Sequence, residues 1–112
     1  MPTKAIWIVR SVVSNEMDRA PFDHWYGTDH MPKAIEIFGC ERGWRAWSRK
    51  DPGVHYAFYL YPSVAFIEAR DTRLIQALID EFDTAWPNIP RERDLIELAD
   101  AGFDVTTGGT PD

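Results

Sequence analysis

The chain has 112 residues, enough for one domain with a single modest core. Eighteen acidic against twelve basic residues give a formal charge of -6, which excludes the basic footprint of a nucleic-acid binder or a basic membrane patch. The 45% hydrophobic fraction is that of a globular chain, and no apolar run is long enough to span a membrane.

The N-terminus lacks the basic-then-apolar pattern of a secretory leader. The one cysteine, Cys40, has no disulfide partner and no neighbour at metal-ligand spacing. A cytoplasmic location is the expectation. Aromatics reach 13%, with five tryptophans, a surplus that suits a pocket for flat apolar ligands as well as a core.

In chain order, Lys4 to Val13 reads as a strand, rich in β-branched residues and interrupted by Arg10 and Ser11. Ser14 to Asp18 reads as a polar turn into a helix whose first turn holds Pro21. Phe22, Trp25 and Tyr26 recur at helical spacing, Gly27 reads as a stop and Pro32 as a restart. A helix broken near Gly27 is therefore expected, with Thr28, Asp29 and His30 in the joint. A second piece runs from Met31 to Phe38 on an i, i+3, i+4, i+7 stripe and ends at a Gly39 cap.

Glu41 to Lys50 is the next strand, with Trp44 on one face and Trp47 on the other. Asp51-Pro52-Gly53 is a tight turn into a hairpin partner, Val54 to Tyr61. That strand splits into a greasy row (Tyr56, Phe58, Leu60) and an amphipathic row (His55, Ala57, Tyr59, Tyr61). Helices covering one side of the sheet are expected over the greasy row, leaving His55 and Tyr59 on the other face. Val64 to Arg70 is a short helical piece, and Asp71 or Thr72 caps a helix striped by Leu74, Ile75, Leu78, Ile79 and Phe82. After a proline-bounded loop, Arg91 to Leu98 is the last strand. Residues 99 to 112, rich in glycine, read as an irregular and mobile tail of the single domain spanning 1–112.

The order β-α-β-β-α-β is the split βαβ pattern of a ferredoxin-like α+β sandwich, a four-stranded antiparallel sheet with helices on one face. The motif Phe22-x-x-Trp25-Tyr26-x-x-x-His30-x-Pro32, followed by Gly39 and an aromatic hairpin, resembles the dimeric α/β-barrel superfamily, closest to its EthD-like members. The resemblance covers residues 3 to 98 in element order. It implies a homodimer in which open sheet faces pack into an α/β barrel. It also implies that His30, matching the motif histidine at the cavity mouth of many relatives, is the acid/base candidate. Haem-degrading relatives carry an asparagine on the first strand, and this chain has none between Lys4 and Val13.

Two functions follow as expectations. The first is a small cofactor-independent enzyme, an isomerase, cyclase, dehydratase or lyase, acting on an aromatic or polyketide-like metabolite. His30 is its acid/base at a pKa near the unperturbed value, Asp29 its orienting partner, and Tyr26 a hydrogen-bonding group. Trp25, Trp47, Arg49, His55 and Tyr59 are the substrate-binding candidates. The second is a non-catalytic dimer that binds a hydrophobic small molecule or supports another enzyme. No cofactor or metal is expected, because His24 and His30 are six residues apart rather than at zinc-holding helical spacing. The Arg91-Glu92-Arg93-Asp94 run is read as a solvated strand start, its alternative being an arginine that grips a carboxylate, a role for which Arg49 competes.

Overall fold

A computed structural model describes residues 3–102. Four strands, β1 (Ala5–Val12), β2 (Arg42–Trp47), β3 (Val54–Tyr61) and β4 (Arg91–Glu97), form one sheet in the order β2-β3-β1-β4. Every adjacent pair is antiparallel, and the helical connections lie on one face, the ferredoxin-like arrangement. The Asp51–Gly53 turn closes the β2–β3 hairpin. A Cβ on Gly53 would lie 2.7 Å from the Val13 carbonyl oxygen, so only glycine fits.

Register fixes which side chains share a face. Ser11, Val9, Trp7 and Ala5 of β1 stand opposite His55, Ala57, Tyr59 and Tyr61 of β3, and this whole row lies under the helices. His55, Ala57, Tyr59 and Tyr61 are all buried. The expected sidedness is thus inverted. Tyr56, Phe58 and Leu60 occupy the uncovered face, where Trp44 stacks on Phe58 at 5.4 Å and Phe58 on Tyr56 at 6.0 Å. Covering this row gives Tyr59 a partner in Tyr26, Tyr61 one in Arg70 and His55 one in Arg45, while Ser11 Oγ and His55 Nδ1 stay unpartnered among the described residues. Trp47 does fall on the helix side and Trp44 on the other, as alternation required.

The first helical region starts earlier and runs further than expected. Asn15 caps α1 (Glu16–Trp25) by accepting from the Met17 N–H, so Pro21 sits inside the helix rather than in its first turn. There is no break at Gly27. A π-helical turn, Tyr26–His30, leads directly into α2 (Met31–Phe38), and the Met31 N–H reaches back five residues to the Tyr26 carbonyl. This wider turn lies just before Pro32, where an α-helical ladder would need an N–H that proline lacks and would press its ring on a carbonyl. Gly27 serves a different purpose: a Cβ there would meet the Arg45 guanidinium at 2.8 Å. Gly39, at φ 66°, ends α2 in the left-handed region as its sequence position indicated.

Ser63 caps the short α3 (Val64–Glu68), and Asp71 caps α4 (Thr72–Ala85), which lays Leu78 and Phe82 into the core. Around Phe22, fully buried, the rings of Trp25, Tyr26, Trp47, His55, Phe82 and Trp86 pack within 5.2–6.3 Å. Of the tail, residues 99–102 form no helix or strand. The expected mobility of its end lies outside the described residues.

Candidate functional site

Between the π-turn, α2 and α4 on one side and β1, β3 and β4 on the other lies a cavity of about 300 Å³. Its walls are mostly apolar, with Trp7, Val9, Phe38, Leu78 and Phe82 among them. Its polar groups include Tyr26, His30, Tyr59, Arg70, Arg91 and Arg93. The π-turn is what aims the first two inward. Both Tyr26 and His30 are buried, and their rings meet edge to face at 4.9 Å. Tyr26 also meets Tyr59 hydroxyl to hydroxyl at 3.3 Å across the gap between helix and sheet.

Burial sets the protonation states. It pulls His30 down to about 4, with Arg91 acting in the same direction and Glu81 and Asp29 opposing, so the imidazole is neutral at pH 7. The expected near-ordinary pKa is corrected accordingly. Burial pushes Tyr26 up to about 12 and Tyr59 well above the usual phenol value, so both hydroxyls stay protonated. The His30 Nδ1 is buried without a hydrogen-bond partner among the described residues. Trp25 lies flat against the same imidazole, 4.7 Å between centroids and 18° between planes. It backs the ring and is not part of the cavity wall.

Asp29 does not orient His30. Adjacent helical residues point apart, and Asp29 pairs with Lys33 one turn on, at 3.2 Å. His24, two residues beyond Phe22, is exposed.

His55 and Trp47 belong to a second cluster, behind Tyr26. The Trp47 indole N–H and the Arg45 guanidinium both donate to Asp23 Oδ1 at 2.8 Å, and these two contacts hold the Asp23 carboxyl below its usual range. Arg45 also lies 3.2 Å from His55 Nε2. Arginine only donates, so His55 accepts there and carries its proton on Nδ1. Its accepting nitrogen is therefore engaged by Arg45, and His55 does not line the cavity. Burial pulls its pKa down to about 4, with Arg45 adding to the effect.

Arg49 is exposed beyond the end of β2 and reaches neither cluster. Arg45, four residues earlier and within β2, is the inward cation that the sequence reading missed. The Arg91–Asp94 run divides between its two readings: Glu92 and Asp94 are exposed and face away, while Arg91 and Arg93 share the helix face of β4 with Leu95 and line the cavity. Period-2 alternation carried that signal, since it separates the two arginines from the two acids. Arg70, at the α3–α4 joint, was not singled out at all.

Among the described residues no three His, Cys, Asp or Glu side chains cluster as a metal site would need. No helix among them is long and apolar enough to cross a membrane.

No protein-family model matches the sequence, and no curated protein does either. Solved structures match the fold. SnoaB, a cofactor-independent oxygenase from Streptomyces nogalater seen in a mutant form, is 11% identical, with a TM-score of 0.66 over 88% of this chain and 96% of that one. A NIPSNAP-family protein of unknown function from Agrobacterium tumefaciens is 11% identical, with a TM-score of 0.64 over 88% of this chain and 91% of that one. A dimeric ferredoxin-like protein from an uncultured marine organism is 14% identical, with a TM-score of 0.61 over 89% and 99%. At such identities the likeness establishes the fold.

Proposed function

We propose that the chain is a small cofactor-independent enzyme that moves a proton on an aromatic or polyketide-like metabolite, the chemistry of an isomerase, cyclase, dehydratase or lyase. The observation that carries this reading is the convergence of a neutral buried imidazole and a pair of protonated phenols on one largely apolar cavity. His30 takes a proton from carbon beside a carbonyl, or from a phenol. Tyr26 and Tyr59 donate hydrogen bonds to the oxygen on which negative charge collects. The empty-cavity pKa of about 4 makes His30 a weak base at rest. As charge develops on the substrate beside it, the imidazolium is stabilised and its proton affinity rises. The EthD-like resemblance, resting on the Phe22 to Pro32 motif, is part of the same reading.

SnoaB being a cofactor-independent oxygenase favours a second outcome for the same deprotonated substrate, reaction with dioxygen as co-substrate. Oxygen uptake separates the two. Trp44, Tyr56, Phe58, Leu60, Ile6, Ile8 and Ile96 share the uncovered sheet face, and we infer that two copies pair through it to form the barrel.

The test is turnover of phenolic and polyketide compounds by wild type, His30→Gln and His24→Gln. His30→Gln should lose roughly 10²- to 10⁴-fold in rate, and His24→Gln almost nothing. Equal rates for His30→Gln and wild type would remove His30 from the mechanism. Ligand binding without turnover by wild type would make the protein a binding module.

A further inference from the structure

The cavity is positively charged inside an acidic protein. The chain carries eighteen acidic and twelve basic residues, yet the wall of this one cavity holds Arg70, Arg91 and Arg93 and no aspartate or glutamate. Arg91 is paired with Asp83 and lies over the Phe82 ring, 3.8 Å from its centroid. Arg70 and Arg93 have no carboxylate partner among the described residues.

Arg70 is held in one place. Its guanidinium sits over the rings of Trp7, Phe38 and Tyr61 at 4.8, 5.0 and 5.5 Å, and it donates from Nε to the Ile67 carbonyl at 3.0 Å and from one terminal nitrogen to the Tyr61 hydroxyl at 3.1 Å. A partly buried cation fixed by aromatic faces, with a terminal amino group still uncommitted, is pre-organised for an anion. Arg93 enters the same cavity from β4, opposite Val9.

We infer that the ligand of this cavity is an aromatic carboxylate, its ring held by the apolar walls and its carboxylate by Arg70 and Arg93. A planar carboxylate matches the flat guanidinium fork. A bare phosphate or sulfate would leave the apolar walls without a partner. The proposal rests on the reading of this cavity as the substrate site and names its substrate class. Distant approach is opposed by the net charge of -6, so the arginines act as local selectors once the molecule reaches the mouth.

The experiment is calorimetric titration with 2-naphthoate, its neutral isostere 2-naphthamide, and inorganic phosphate. Wild type, Arg70→Gln, Arg93→Gln and His24→Gln are each titrated. Wild type should prefer naphthoate to naphthamide by roughly 10- to 100-fold, the worth of a charge-assisted hydrogen-bonded pair. The preference should shrink in Arg70→Gln and in Arg93→Gln, and persist in His24→Gln, which lies outside the cavity. Arg93 is exposed, so its variant keeps the test open if Arg70→Gln fails to fold. Equal binding of naphthoate and naphthamide overturns the inference. So does a preference that both arginine variants keep, phosphate binding as tightly as naphthoate, or no binding of either aromatic probe at millimolar concentration. An arginine-dependent preference with no turnover of any compound leaves this inference standing and removes the enzymatic reading. Turnover of neutral compounds in preference to carboxylates does the reverse.

Discussion

Mild acid should destabilise this protein through its two buried histidines. His30 and His55 each fall from an ordinary 6.5 to about 4 in the folded state, mainly by burial. Both folded values lie below the unfolded one, so between those limits the unfolded chain binds more protons. The contribution is complete above pH 6.5 and disappears as the pH falls toward 4. A shift of about 2.5 units corresponds to a ceiling of about 3 kcal/mol per imidazole, of which about 2 kcal/mol is lost by about pH 5. At about pH 5 both folded imidazoles are still largely neutral, so the two losses add to about 4 kcal/mol. Asp23, whose carboxyl is held low, loses its contribution at still lower pH and does not interfere. The assay is urea unfolding followed by tryptophan fluorescence, at about pH 7.5 and about pH 5, on wild type and His30→Gln. His30→Gln should keep about half of the pH dependence. An unchanged wild-type stability over this range would refute the buried neutral histidines, and an unaltered slope in His30→Gln would clear His30 of any part in it.

Gly27→Ala forces a methyl into the space of the Arg45 guanidinium, offsetting the ~1 kcal/mol that alanine normally adds to a helix. In an Arg45→Gln background the same change should therefore stabilise by about 1 kcal/mol more than in wild type, and a double-mutant cycle with zero coupling would contradict the contact. Phe58→Asp charges the uncovered face, so light scattering should give the dimer mass for wild type, twice 12.9 kDa, and 12.9 kDa for the variant. A monomeric wild type ends the barrel proposal. Asp29→Asn removes only an exposed, solvent-screened pair with Lys33 and should leave turnover within about twofold of wild type. A large loss of rate would restore Asp29 to the mechanism. Tyr59→Phe should cut turnover roughly 10- to 100-fold if its hydroxyl stabilises the developing oxyanion, with wild-type rates counting against that role.

Local chemistry made much of the fold legible. β3 and α2 have the bounds their patterns implied, Gly39 takes the positive φ that its position after the apolar stripe required, and Asp51-Pro52-Gly53 turns the hairpin. These features depend on residues a few positions apart, and dihedral preference and side-chain period act over that range. Even the missed continuity of the helix at Gly27 was a local matter, a π-turn where glycine and proline suggested a stop.

Sidedness was decided elsewhere. Alternation divides β3 into two rows, but nothing within the strand says which row the helices cover. The amphipathic row is buried where the π-turn brings Tyr26 to the Tyr59 hydroxyl and β2 brings Arg45, itself held by Asp23 of α1, to His55. The same holds for the cavity: Arg70, Arg91 and Arg93 come from a helix joint and an edge strand, and only the packing of α4 over β1 and β4 puts them on one wall. A polar side chain is stable inside when another part of the chain satisfies it. That partner is far away in sequence, so the tertiary structure chose the face, and with it the site.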